Sequence, residues 1–146
     1  MIRLAGGGGG AQEFVVVTKL KGSGAGAYTT VSASYVAVDA VNLAKSLTTS
    51  IKQAIAIFAS GEGINESDGD YTQVGLAKDG AVVAQVGMAG TSHTAVFPWS
   101  LTYSEPGDGS AHTWELQFFA FGGTANITNI ANGRCPFFTI LQLPTS

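Results

Sequence analysis

The sequence predicts an all-β fold, an antiparallel jelly-roll sandwich, from three observations. Short runs rich in Val, Ile, Thr, Tyr and Phe recur along the 146-residue chain, and several alternate apolar with polar residues, as half-buried strands do. Turn-forming segments rich in Gly, Pro, Asn and Asp separate these runs at regular intervals. No run has a convincing helical period. We therefore expect about eight to ten short strands, for which the jelly roll is the natural antiparallel architecture.

The clearest strand is His112–Phe121, around which the rest of the chain is expected to fold. Three alternate apolar residues, from Trp114 to Phe118, point to one face, whereas Phe119 and Phe121 add aromatic rings to the other. A strand that is apolar on both faces is covered on both, so we expect the core on one side and a second sheet or another subunit on the other. The predicted core comprises Tyr35, Ile55, Ile57, Leu76, Phe97, Trp99, Leu101, Trp114, Leu116, Phe118, Ile127, Ile140 and Leu143.

The first 26 residues differ in composition and predict an extended, Gly-rich N-terminal arm that precedes a jelly-roll domain over 27–146. Gly6–Gly10 are consecutive glycines, and Gly22–Gly26 is a second glycine-rich run. Polyglycine loses more conformational entropy on ordering than any other sequence, so an arm of this kind needs a partner to hold it. The arm has no long apolar region before a cleavage site, so we expect a protein that is made and used in a cytoplasm without processing.

Two alternatives remain open for the strand-like part of the arm, Phe14–Leu20. It pairs either with the sheet of its own domain or with another chain, because a short strand is not stable alone. For Met1–Leu4 we favour a partner. The residues predicted to bind another chain are Met1, Ile2, Arg3, Leu4, Phe14 and Val16.

The body begins near residue 27 with several predicted strands. Tyr28–Val38 is rich in Thr, Val and Tyr, and a turn at Asp39–Asn42 separates it from Leu43–Thr49. Ser50–Ser60 is long enough for a helix, but its β-branched isoleucines and glycine-rich surroundings favour a strand.

An acidic loop, a hairpin and three further strands are predicted after residue 60. Asp79-Gly80 is a strong hairpin signal, because both turn positions of this type require a positive φ. The predicted acidic loop is Gly61–Asp70, and the strands of the hairpin are Tyr71–Lys78 and Ala81–Val86. The later predicted strands are Ser92–Tyr103, Thr124–Thr128 and Phe137–Leu143. A turn at Glu105–Gly109 follows the first of them, and a loop at Asn129–Pro136 precedes the last.

The composition argues against several classes of function. Only 12% of the residues are charged, about half the usual share of a soluble domain. The net charge of −3 leaves no basic footprint for nucleic acid or an anionic membrane. No apolar run approaches the length of a membrane-spanning helix. The single cysteine, Cys135, excludes an internal disulfide and is interpreted as a small buried hydrophobe rather than a reactive thiol.

We find no arrangement of residues that predicts a catalytic or metal site. The glycine runs lack the Gly-Lys-Ser/Thr continuation of a phosphate-binding loop. His93 and His112 have no second histidine at metal-ligand spacing, so we interpret both as surface histidines with satisfied hydrogen bonds. The acidic residues of the 61–70 loop could offer oxygens to calcium, but their spacing does not fit an EF-hand and favours a solvated loop. We expect no metal, no cofactor and no enzymatic activity.

Five segments together resemble the phage-encoded jelly rolls of the C1q/TNF-like type. They are Tyr35–Leu43, the hairpin at Lys78–Gly80, Gly109–Gln117, Gly122–Asn126 and the closing strand Phe138–Leu143. The resemblance extends over about residues 28–143, and Trp114 stands where the family usually has a tyrosine.

The resemblance implies a homotrimer in which each subunit buries aromatic residues on a threefold axis, with Phe119 and Phe121 as the candidate interface. It also implies a virion structural protein, made in the host cytoplasm and located on the capsid surface, that binds the major capsid protein and stabilises the phage head. The alternative is the tip of a head or tail fibre that recognises a host glycan or protein. That alternative predicts exposed aromatic side chains in loops, such as Tyr71 or Tyr103.

Overall fold

The computed structural model describes residues 2–4, 12–14, 17–20, 28–65, 70–89, 96–127 and 136–144. All regular structure in these ranges is β-strand. No helix in them is long and apolar enough to cross a membrane. The strands in chain order are β1 (Ile2–Leu4), β2 (Gln12–Phe14), β3 (Val17–Leu20), β4 (Tyr28–Thr30), β5 (Val36–Ala37), β6 (Ala44–Thr48), β7 (Gln53–Asn65), β8 (Tyr71–Lys78), β9 (Ala81–Ala89), β10 (Phe97–Pro106), β11 (Ala111–Phe121), β12 (Ala125–Ile127) and β13 (Phe137–Pro144).

The first sheet is built around β7. One edge of β7 pairs with β10, from Ala54 to Gly63. The other edge pairs first with β13 and then with β12, and these two strands pair in turn with β3 and β4. The main strand order is therefore β10-β7-β13-β3, with β12 and β4 extending the same sheet beyond the end of β13.

The second sheet is built around β11. One edge of β11 pairs with β8, and β8 forms a hairpin with β9. The other edge of β11 pairs with β6 near its start and with β5 further along. The main order is β6-β11-β8-β9, and every pairing is antiparallel.

The two sheets pack face to face and share one core, to which both contribute alternate residues. With four main strands in each sheet and a chain that passes repeatedly between them, the fold is an antiparallel jelly-roll sandwich, and that prediction is confirmed. β1 and β2 pair with each other in a separate two-stranded sheet.

Most of the side chains predicted to form the core are buried, and three are not. Tyr35 lies on the outer face of the second sheet, Phe97 is only partly buried, and Leu143 is half-buried beside the buried Gln142. Leu143 was assigned to the wrong face because it is out of phase with Ile140 on a strand whose side chains alternate. Several buried residues were not predicted: Val38, Leu43, Ala59, Val74, Ala77, Ala120, Ala125 and Phe138.

Three predicted boundaries are also corrected. The predicted strand Tyr28–Val38 is interrupted, because only its two ends, β4 and β5, pair. β7 continues to Asn65 through the first part of the predicted acidic loop, and β10 continues through Glu105 and Pro106, which were predicted to begin a turn. The extension of β7 depends on Gly61, because the ring of Trp99 lies where a Cβ at that position would be.

Candidate functional site

Four aromatic rings lie together on the outer face of the second sheet, and we call this group the aromatic surface. Tyr35 packs edge-on against Phe119, with ring centroids 4.9 Å apart. Tyr71 packs edge-on against Phe119 at 6.0 Å and is stacked on Phe121 at 4.9 Å with an interplanar angle of 12°. The surface is therefore continuous from Tyr35 to Phe121.

The strand register explains why these rings meet. The even-numbered residues of β11 from Trp114 to Ala120 are buried in the core, so Phe119 and Phe121 point outward. Tyr71 is the Cα partner of Phe121 on the neighbouring strand β8. The alternation that placed both phenylalanines on one face in the sequence is thus reproduced by the fold.

Tyr35 reaches the surface from the connection between β4 and β5, where it covers Gly75. A Cβ at Gly75 would lie 2.7 Å from Cε1 of Tyr35, so only glycine leaves room for the ring. The Tyr35 hydroxyl donates a hydrogen bond of 3.0 Å to Oε1 of Gln85 on β9. Burial, and to a lesser degree the neighbouring Tyr71, raise the pKa of Tyr35.

The two phenylalanines predicted at a subunit interface differ in exposure. Phe119 is half-buried, because Tyr35 and Tyr71 contact it from within the same chain. Phe121 remains 57% exposed although it stacks on Tyr71. Of the two, Phe121 is the ring available to another molecule.

The predicted partner-binding residues of the arm lie in or beside β1 and β2. Ile2, Arg3 and Leu4 form β1, whose Ile2 pairs with Phe14 of β2. Met1 and Val16 lie outside the described residues. Of the two alternatives for the end of the arm, pairing with its own domain applies to β3, which joins the first sheet beside β13.

At the end of the sandwich opposite Phe121, His112 lies between two carboxylates, and we call these three residues the His112 cluster. Its Nδ1 is 2.5 Å from Oδ2 of Asp79, and its Nε2 is 2.9 Å from Oδ2 of Asp108. The hydrogen bonds with Asp79 and then Asp108 raise the pKa of His112. The interpretation of His112 as a satisfied surface histidine agrees with these bonds, but the sequence did not identify its partner Asp79, which lies 33 residues away.

Tyr103, which the glycan-binding alternative placed on the surface, packs against the core instead. Its hydroxyl donates a hydrogen bond of 2.8 Å to Oε2 of Glu105. Burial, followed by this bond and the charge of Glu105, raises the pKa of Tyr103 to about 12. Tyr71, the other aromatic residue named for that alternative, lies in strand β8 rather than in a loop and belongs to the aromatic surface.

Among the residues that the structure describes, no group of three or more His, Cys, Asp or Glu side chains is arranged to hold a metal ion. His93, Glu66 and Asp68 lie outside the described ranges. Glu62 lies in β7, and the Asp70 carboxylate lies against Gly122 at the turn that ends β11.

Comparison with known proteins supports the fold and no more. No protein-family model matches the chain, and no curated protein matches its sequence. One similar solved structure is the crystal structure of dimeric latent PorU from Porphyromonas gingivalis, with a TM-score of 0.52 and 10% identity. The match covers 90% of this chain and 13% of the PorU chain, so this protein spans only a small part of that length.

Proposed function

We propose that this chain is a viral structural protein, a homotrimeric decoration protein that binds the shell of a phage head and stabilises it. The observation that carries the proposal is the exposure of Phe121 at the end of the aromatic surface. A large apolar ring that is continuous with three other aromatic rings is typical of a surface that another protein covers. In the proposal, Phe121 of each subunit lies in the contact between subunits.

The free edges of the sandwich also support association. β9 and β10 are the outer strands on the same side of the two sheets, and within the described part of the chain each pairs with a single neighbour. β9 contains no charged residue, and the one charged residue of β10, Glu105, is held by Lys78 of the other sheet. Monomeric proteins commonly protect such edges with charges, so uncharged edges favour a neighbouring subunit on this side.

The segment before β3 supplies the contact with the shell. β1 and β2 pair with each other and are not needed to complete either main sheet. In the proposal, residues 2–13 bind the major capsid protein. Three such arms on one trimer would engage three repeated sites, and multivalent engagement strengthens binding without any further contact.

The first test measures mass in solution by light scattering for the full chain, Phe121→Ser and Val41→Ser. Val41 is 79% exposed in the connection before β6 and is the matched control for loss of an exposed apolar side chain. We expect trimers for the full chain and the control, and smaller species for Phe121→Ser. A full chain that is monomeric at all concentrations would rule out the trimer.

The second test concerns the shell. Head shells of the phage that encodes the chain, prepared without this protein, should co-sediment with the full chain but not with a variant lacking residues 2–13. That variant keeps β3 and its pairing with β13, so its jelly roll is intact. Undiminished shell binding by the shortened chain would exclude the arm as the docking element.

A second candidate function, recognition of a host glycan by a fibre tip, is favoured by the stacked Tyr71 and Phe121 rings. Aromatic rings beside amide side chains such as Gln73, the strand partner of Phe119, suit the apolar face and hydroxyl groups of a sugar. A glycan array separates the two candidates. Binding that Phe121→Ser abolishes while the oligomer persists would favour recognition over decoration.

A further inference from the structure

We propose that the His112 cluster is a pH-operated clasp that ties together two turns at one end of the sandwich. Asp79 lies in the turn between β8 and β9, and Asp108 lies in the turn between β10 and β11. His112, near the start of β11, reaches both carboxylates. In the protonated state the ring holds both turns, and in the neutral state it holds only one.

The number of N–H groups on the His112 ring determines how many carboxylates it can donate to. Each ring nitrogen faces a carboxylate oxygen, at 2.5 Å for Asp79 and 2.9 Å for Asp108. A neutral imidazole has one N–H, so it can donate to only one of them and must turn a lone pair towards the other. The imidazolium ion has two N–H groups and donates to both. The observed geometry therefore fits the charged ring.

Both carboxylates are fixed by the backbone, which makes them partners with a defined position. Oδ1 of Asp79 accepts a hydrogen bond of 2.8 Å from the amide of Thr113. Oδ1 of Asp108 accepts bonds of 2.8 Å from the amide of Ser110 and 2.9 Å from the hydroxyl of Thr49. The ring thus joins two preformed acceptors and does not have to order them.

The other charged groups near this end of the sandwich do not prevent protonation of the His112 ring. Lys78, at the end of β8, opposes protonation of His112, but its ammonium is 2.8 Å from a carboxylate oxygen of Glu105 on β10. The neighbouring strand β6 carries Lys45, which is the Cα partner of Trp114 rather than of His112. The turn before β7 carries the exposed Lys52. Two carboxylates in direct contact therefore outweigh one ammonium that is already paired.

The pH range of the clasp follows from the sign of each shift. The pKa of His112 is raised in the folded chain, so its stabilisation is complete below the unfolded value of about 6.5 and is lost as the pH rises through the folded value. The pKa values of Asp79 and Asp108 are lowered in the folded chain. The stabilisation that these two carboxylates contribute is therefore lost only in strong acid, below the ordinary carboxyl range. The clasp is closed in mildly acidic solution and opens on the alkaline side.

An NMR titration of the full chain tests the proposal. We expect the His112 ring resonances to titrate above the ordinary histidine range, and the backbone amides of Gly80 and Ser110, one in each turn, to shift with the same midpoint. Asp79→Asn and Asp108→Asn should each lower that midpoint, and the double variant should lower it further. Glu115→Gln removes a carboxylate from the same strand, where Gln117 hydrogen-bonds it, and should leave the midpoint nearly unchanged.

The readout also separates a clasp from an ordinary surface histidine. If the midpoint lies at or below the ordinary value, or if neither Asp→Asn variant lowers it, the proposal is wrong. If the ring titrates high but only one of the two turns responds, the ring is a local ion pair and not a clasp. In His112→Gln, whose side chain is neutral and of similar reach, the shared shift of the two turns should disappear.

Discussion

Lys78 and Glu105 form an ion pair that joins the two sheets of the sandwich. Lys78 ends β8 in the second sheet, Glu105 lies near the end of β10 in the first, and Nζ is 2.8 Å from Oε1. Their side chains are 19% and 17% exposed, so water screens the pair only in part. The lysine ammonium also lies 5.7 Å from the ring centroid of the buried Trp114.

Replacing Lys78 by Met should lower the free energy of unfolding by about 1–3 kcal/mol, because Glu105 would keep a largely buried carboxylate without its cation. Methionine retains an apolar chain over Trp114, so the change isolates the charge. Urea denaturation of Lys78→Met, Glu105→Gln and the double variant measures the effect. The double variant should be more stable than the sum of the single effects predicts, and simple additivity would show that the residues do not interact.

Gly107→Ala should be strongly destabilising, whereas Gly87→Ala should not. A Cβ at Gly107 would lie 2.1 Å from the backbone oxygen of Ser50, and the Gly107 amide donates a 2.7 Å hydrogen bond to the carbonyl of Gln53. The backbone there cannot yield without breaking this contact, so we expect a loss of about 1–3 kcal/mol or more. Gly87 is exposed, with nothing within 4 Å of the same position. Equal melting temperatures for the two variants would contradict the packing described at Gly107.

The Asp39 carboxylate stabilises the turn before β6 in a pH-dependent way. It accepts hydrogen bonds from the Tyr28 hydroxyl, the Asn42 side chain and the amides of Val41 and Asn42. Burial alone would raise its pKa, but these bonds, those from Asn42 foremost, lower the pKa to about 2.

Asp39→Asn should therefore cost about 1–2 kcal/mol at neutral pH, because the amide meets donors where the carboxylate accepted. The lowered pKa means that the stabilisation is present above about pH 4 and is lost as the pH falls towards 2. The gap in melting temperature between the parent chain and Asp39→Asn should narrow over that interval. A gap that does not change with pH would mean that the charge is not the source of the stabilisation.

Tyr103 should ionise well above the ordinary range of tyrosine. Burial and the hydrogen bond to Glu105 raise the pKa of Tyr103 to about 12. The stabilisation from this bond is therefore fully present below about pH 10, the unfolded value, and is lost as the pH rises through the folded pKa of about 12. Ultraviolet titration of phenolate should show a late component that is absent in Tyr103→Phe. If the late component persists in that variant, another tyrosine is responsible for it.

Local sequence chemistry predicted the hairpin of the second sheet well. The bounds of β8 are the predicted ones, and the turn has the predicted positive φ at both Asp79 and Gly80, 51° and 84°. The extent of β7 was not predictable in the same way. Its final residues pair with β10 and β12, which lie more than 30 residues further along the chain, so no local pattern marks where the strand ends.

The aromatic surface was predicted in part, for a similar reason. The alternation within one strand places Phe119 and Phe121 on the same face without any knowledge of the fold. The position of Tyr35 depends on Gly75, 40 residues away, whose missing side chain makes room for the ring. The His112 cluster likewise requires the β8–β9 turn to lie beside the start of β11, which only the sheet register determines.

The pairing of β3 with β13 has a consequence for how this protein is synthesised. The first sheet places Val17–Leu20 beside Phe137–Ile140, so β3 cannot pair with β13 until more than 100 further residues have been synthesised. Contacts between such distant segments close slowly, and β7 stays without its neighbour on that side for the same interval. The nascent chain would therefore expose unpaired strand edges until residues 137–144 have left the ribosome, and that period is when it is most vulnerable to misassembly with other copies.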